Sequence, residues 1–159
     1  MTEDLCRELA ALLKEKGWML ATAESCTGGL IAAACTELSG SSDWFERGFV
    51  TYSNAAKIEE LGVDANLIER HGAVSEVVAR AMAFGAVRHS RALASIAVTG
   101  IAGPTGGTAD KPVGTVWFAW MVQGELTSET MRFEGDRAAV RAAAVGHALQ
   151  RAIELIGAA

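Results

Sequence analysis

Two residue types able to do nucleophilic chemistry stand at turn positions near the start of the chain. Ser25 follows an apolar run and precedes Thr27-Gly28-Gly29, a glycine-rich opening to an alanine-rich segment. At such a strand-to-helix turn, backbone N–H groups around Thr27, Gly28 and Gly29 are exposed and can hold a phosphate or a developing oxyanion. Serine there is more often a helix cap, so Ser25 alone is a weak signal of a nucleophile. Lys57 adds a second element. If Ser53 caps the helix that begins at Asn54, Lys57 sits in its first turn, where the positive end of the macrodipole disfavours an ammonium. A lysine so placed and partly desolvated can act as general base for a neighbouring hydroxyl, the Ser-Lys form of nucleophilic catalysis. The competing reading is that Tyr52 packs on the Lys57 stem as a staple around the cap.

Further along, Gly100-Ile-Ala-Gly-Pro-Thr-Gly-Gly-Thr108 holds four glycines in nine residues, which permits close backbone approach to a ligand or simply makes a flexible connection. It lacks the Gly-Lys-Ser/Thr ending of a Walker A loop and the Gly-x-Gly-x-x-Gly dinucleotide fingerprint. Arg137 and Arg141, one turn apart at the start of the last helix, either reach an anionic group or are solvated surface residues. His71, His89 and His147 are scattered, and Cys6, Cys26 and Cys35 form no Cys-x-x-Cys pair, so no metal site and no disulfide framework is expected.

These side chains need a rigid frame. A leucine repeat at Leu5, Leu9, Leu12 and Leu13, with Thr2 as cap and Gly17 as stop, predicts a first helix. A buried strand over Trp18–Ala23 follows, then the Ser25 turn and a helix to about Leu38. Gly48–Tyr52 predicts a strand, Asn54–Leu61 a helix, and Asp64 or Ala65 the start of a short one. Ser75 caps a helix to about Ser90, and Leu93–Thr99 is a strongly apolar strand. Val113–Val122 and Leu126–Phe133 flank Gln123-Gly124 as a hairpin. Asp136 caps a final helix turning Val140, Ala144, Ala148 and Ile153 inward. Alternating strands and helices with a late hairpin predict an α/β fold, a three-layer α/β/α sandwich with a mixed, mostly parallel sheet. Ligands of such sheets sit beyond the carboxyl ends of the strands, and the turns after Ala23, Tyr52 and Thr99 are candidates to meet there.

Composition supports one domain over residues 1–159. The 159 residues are 50% hydrophobic, enough for a single core. Fourteen basic against nineteen acidic residues, with no basic block, argue against a nucleic-acid partner. No apolar run approaches the roughly 20 residues needed to span a bilayer, and the acidic N-terminus has no signal-peptide layout, so a cytoplasmic protein with no membrane partner is expected.

Several ordered motifs together resemble the CinA C-terminal domain family: Ala23-Glu-Ser-Cys-Thr-Gly-Gly29, Trp44-Phe-Glu-Arg-Gly-Phe-Val-Thr-Tyr-Ser-Asn54 with Lys57, His71-Gly-Ala-Val-Ser75, Gly100-Ile-Ala-Gly-Pro104 and Lys111-Pro-Val-Gly-Thr115. The resemblance implies an amidohydrolase that converts nicotinamide mononucleotide to nicotinic acid mononucleotide and ammonia, with no metal or organic cofactor. It implies Ser25 as nucleophile, Lys57 as base and later acid, Tyr52 as orienting or relaying group, and an oxyanion site around Thr27 to Gly29. It further implies that Thr99, Gly100, Gly103 and Arg137 line a small-molecule nucleotide site, to which the helix spacing adds Arg141 as a substrate-binding candidate, and that the protein is a homodimer. The larger CinA proteins carry an additional N-terminal domain, associated with ADP-ribose pyrophosphatase activity, which is expected to be missing here. Two alternatives stand beside this reading. Cys26, at the same turn, is a rival nucleophile. A catalytically silent nucleotide- or partner-binding module of the competence/damage-inducible CinA type is the other.

Overall fold

The first leucine repeat folds as helix α1 (Thr2–Lys16), which buries Cys6, Leu9, Ala10 and Leu13 along one face. Its N-cap position is Met1 and no side chain caps it. Thr2 is already the first helical residue, so its hydroxyl does not take the capping role expected of it. At the other end the Trp18 N–H donates to Leu13 O at 3.0 Å, closing the helix with a residue that the sequence pattern assigns to the next strand. Strand β1 therefore begins later, at Leu20–Glu24.

The structure, a computed structural model, describes residues 1–159. After β1 come α2 (Leu30–Thr36), a 3-10 turn (Ser41–Asp43), β2 (Phe45–Val50), α3 (Asn54–Leu61), α4 (Ala65–His71) and α5 (Glu76–Arg88). The remainder is β3 (Ala94–Gly100), β4 (Thr115–Val122), β5 (Glu125–Arg132) and α6 (Arg137–Gly157). Three caps have the expected chemistry: Ser53, Asp64 and Asp136 accept from the N–H groups of Ala56, Asn66 and Ala139. Ser75 stands at the N-cap of α5 but does not cap it, because its hydroxyl donates to Gly72 O at 2.8 Å instead. Gln123 and Gly124, both with positive φ, make the two-residue turn of the β4–β5 hairpin.

The five strands lie in the order β2-β1-β3-β4-β5. β1 pairs in parallel with β2 and β3, whereas β3–β4 and β4–β5 are antiparallel. Because β5 reverses β4, four of the five strands point one way: this is the mixed α/β sheet expected from the sequence.

Side-chain alternation divides the two faces by size. Ile96, Val98, Val116, Phe118 and Trp120 face the layer of α1, α2 and α6. Ala21, Ala23, Ala97 and Ala119 face α3, α4 and α5. The alanine face lets α5 approach closely, and Ser95 Oγ donates to Ala83 O of that helix at 2.7 Å. On the opposite face Trp120 Nε1 donates to Ala148 O of α6 at 3.1 Å. No helix is long and apolar enough to cross a membrane.

Candidate active site

β2 runs Phe45–Val50, beginning three residues before and ending two residues short of the Gly48–Tyr52 strand predicted from the sequence. Thr51 and Tyr52 leave the sheet, and their carbonyls turn toward Lys57. The Lys57 amine donates to Thr51 O at 2.9 Å and to Tyr52 O at 3.1 Å, and its Nζ lies 2.9 Å from Ser25 Oγ. Ser25 is held where β1 ends: its N–H continues the ladder to Val98 O at 3.0 Å, and its hydroxyl is also 3.4 Å from Tyr52 O.

Lys57 is 1% exposed, with no carboxylate paired to it. Burial pulls its amine down to about 8, because an ammonium loses hydration there that three hydrogen-bond acceptors do not replace. Burial, the desolvation invoked from the sequence beside the helix macrodipole, is the largest cause. A neutral amine has two N–H groups and one lone pair. Two carbonyls and one hydroxyl match that inventory, with the lone pair facing the Ser25 O–H.

Cys26, the rival nucleophile, has no such partner. Its thiol is 5% exposed, and burial pushes it up to about 11, the wrong direction for a thiolate.

The turn after Ser25 is stitched from beneath by Glu24, which the sequence motifs did not single out. This carboxylate is fully buried and accepts from Thr27 Oγ1 at 2.6 Å, from Ile31 N at 2.9 Å and from Ala32 N at 3.0 Å. An acid just ahead of a helix start was the available signal. The first amides of α2, at Ile31 and Ala32, are therefore occupied. Gly28 N–H is also committed, to Ser25 O at 3.0 Å. The amides of Cys26, Thr27 and Gly29 have no acceptor within the chain.

The pocket over this pair has a volume of about 240 Å³. The turns after β1, β2 and β3 all contribute: Ser25 and Cys26; Tyr52, Asn54 and Lys57; Thr99, Gly100 and Ala102. Ala73 and Val74, from the loop before α5, and Arg137, from the start of α6, complete it. Thr99 is 1% exposed, and its hydroxyl donates to Ala73 O at 2.9 Å, fixing that wall. A Cβ on Gly100 would lie 2.8 Å from Val116 Cγ2 and 3.1 Å from Cys26 Sγ, so only glycine lets β3 end against the Ser25 turn. Gly103 contributes its carbonyl, which accepts from Arg137 Nη1 at 2.8 Å.

Tyr52 is 62% exposed, and its hydroxyl is 3.3 Å from Arg137 Nη2. What it presents to Ser25 and Lys57 is its main-chain carbonyl. Arg141 is placed differently from Arg137: its Nε donates to Cys26 O at 3.0 Å and its Nη2 to Thr27 O at 3.4 Å. A second cavity, of about 660 Å³, shares Ala102 and Arg137 with the first and is also lined by Pro104, Val113 and Arg141. No group of three or more His, Cys, Asp or Glu side chains gathers in the structure.

Relatives share this frame. The chain is 53% identical over 151 residues to the nicotinamide-nucleotide amidohydrolase PncC of Enterobacter agglomerans, covering 94% of this chain and 92% of that protein. It is 50% identical over 147 residues to the protein of the same name from Escherichia coli K12, covering 92% and 89%. Among solved structures, the competence/damage inducible protein CihA from Agrobacterium tumefaciens superposes with a TM-score of 0.94 at 47% identity, over 97% of this chain and 94% of that one. The CinA C-terminal domain model matches residues 2–156, nearly from end to end, and the chain belongs to that family.

Proposed function

We propose that the protein is an amidohydrolase converting nicotinamide mononucleotide and water to nicotinic acid mononucleotide and ammonia through a Ser25–Lys57 acyl-enzyme. The observation that carries the mechanism is a buried, unpaired lysine amine 2.9 Å from a serine hydroxyl on the wall of a pocket. The substrate follows from the relatives, which are amidohydrolases of nicotinamide nucleotides.

In this reading neutral Lys57 takes the Ser25 proton as Oγ attacks the carboxamide carbon. The oxyanion of the tetrahedral intermediate is received by free turn amides, those of Cys26, Thr27 or Gly29. Lys57 then passes its proton to the departing nitrogen, and ammonia leaves a Ser25 ester. Water enters, Lys57 takes one of its protons, and collapse of the second intermediate returns the proton to Ser25 and frees the acid. The main-chain carbonyls of Thr51 and Tyr52 keep the lysine nitrogen beside Ser25 throughout. Thr99 and Gly100 shape the pocket, the Gly103 carbonyl holds Arg137, and Arg137, on the wall common to both cavities, faces the phosphate of the nucleotide. The enzyme acts in the cytoplasm as a homodimer in this reading, and sedimentation of the purified protein tests the dimer.

The purified protein is incubated with nicotinamide mononucleotide without added metal, beside Ser25→Ala and Lys57→Ala, and ammonia and nicotinic acid mononucleotide are measured. Release by wild type and loss in both folded variants is the expected result. A folded wild type that binds the nucleotide without releasing ammonia would replace this reading with a binding module. Retained turnover in Ser25→Ala with loss in Cys26→Ala would move the nucleophile to Cys26.

A further inference from the structure

Helix α2 begins without a cap of the usual kind. Its N-cap is Gly29, in a left-handed conformation, and no side chain at that position accepts from the helix. The acceptor comes instead from Glu24, five residues earlier and at the far end of the nucleophile turn. Its two carboxylate oxygens reach Ile31 N and Ala32 N at 2.9 and 3.0 Å, and one of them also receives Thr27 Oγ1. Burying a carboxylate is unfavourable unless its oxygens are satisfied. Glu24 is 0% exposed, forms no salt bridge, and takes all its bonds from the turn and the helix that it joins. Arg141, from α6, donates to two carbonyls of the same turn, Cys26 O and Thr27 O. Strand end, turn and helix start are thus tied by one buried acceptor and one donor.

We propose that Glu24 and Arg141 are positioning residues that clamp the Ser25 turn, one as acceptor and the other as donor, holding Ser25 Oγ on Lys57 and leaving the amides of Cys26, Thr27 and Gly29 free for the reaction. The clamp rests on the assignment of Ser25 as nucleophile. It also assigns Arg141 away from the substrate, so the two arginines of α6 have different work: Arg137 faces the pocket and Arg141 holds the turn.

The test uses the full chain and nicotinamide mononucleotide, with Glu24→Gln, Thr27→Val, Thr27→Ser and Arg141→Met made beside Ser25→Ala. In folded Glu24→Gln, Thr27→Val and Arg141→Met, kcat falls roughly tenfold to a hundredfold while KM stays within about twofold, the signature of misplaced reacting groups beside an intact pocket. Thr27→Ser, which keeps the hydroxyl on Glu24, restores most of the rate. The pH at which activity rises is unchanged, because Glu24 is not among the groups that set the Lys57 amine. Wild-type kcat in the folded clamp variants, or a loss expressed in KM alone, overturns the clamp. If Glu24→Gln does not fold, Thr27→Val and Arg141→Met decide by the same criterion. Turnover surviving in Ser25→Ala brings down the nucleophile assignment and the clamp with it. An inactive Ser25→Ala beside fully active clamp variants refutes the clamp alone.

Discussion

Lys57 shows how a single residue is tuned by its surroundings rather than by its neighbours in sequence. Buried among two carbonyls and a hydroxyl, it loses its proton at about 8 instead of 10.5. If it is the base, kcat/KM should rise roughly tenfold per pH unit below about 8 and level off above it, which a pH–rate profile will show. A flat profile between pH 6 and 9 would exclude a titrating lysine base. The same shift has a consequence for stability. The folded amine is deprotonated above about 8, whereas the unfolded one keeps its proton up to 10.5, so between these values the unfolded chain binds more protons and stability rises with pH. Relative to Lys57→Met, wild type should therefore gain about 3 kcal/mol across that window, measured by urea unfolding at several pH values. Below about 8 both states are protonated and the difference stays constant.

Among the helices, two glycines make opposite predictions. A Cβ on Gly85 would stand 2.1 Å from Leu61 O at the end of α3, so α5 approaches α3 only because that side chain is missing. Gly85→Ala should destabilise the protein by about 1–3 kcal/mol. Since α3 carries Lys57, turnover should fall as well. Gly146, inside α6, has open space where a Cβ would stand, with no atom within 4 Å. Gly146→Ala should therefore stabilise by about 0.5–1 kcal/mol through helix propensity alone and leave turnover unaltered. Thermal unfolding of both variants with an ammonia-release assay checks the pair; a stable, fully active Gly85→Ala would contradict the close α3–α5 contact.

At the scale of the whole molecule, the sheet divides the core by side-chain volume. Ile96 and Ala97 are adjacent in β3 and both fully buried, yet they enter different layers. Ile96→Val removes one methyl from the larger cluster and should cost about 1 kcal/mol. Ala97→Leu forces bulk into the close α5 interface and should cost about 1–3 kcal/mol or more. Equal and small effects in urea unfolding would mean that the alanine face is not tightly packed. The division also bears on the site. Ser25, Lys57 and Thr99 stand where the carboxyl ends of the parallel strands β1, β2 and β3 converge.

Much of this was legible in the sequence because it rests on local rules. Apolar periodicity gave the order of helices and strands, Ser53, Asp64 and Asp136 marked three caps, and Gln123-Gly124 marked the hairpin. The chemistry of Ser25 and Lys57 was legible as a possibility, since a turn serine and a lysine near a helix start are recognisable types. What pattern alone left open is whether they meet. Only the parallel placement of β2 beside β1 brings residues 32 positions apart to 2.9 Å, and only complete burial lowers the amine. The contributions of Glu24, of the Thr51 and Tyr52 carbonyls and of Arg141 on the turn were decided by tertiary structure for the same reason. A buried acceptor, a main-chain oxygen and a guanidinium acquire their roles from the groups that fold around them, and those groups lie far away in the chain.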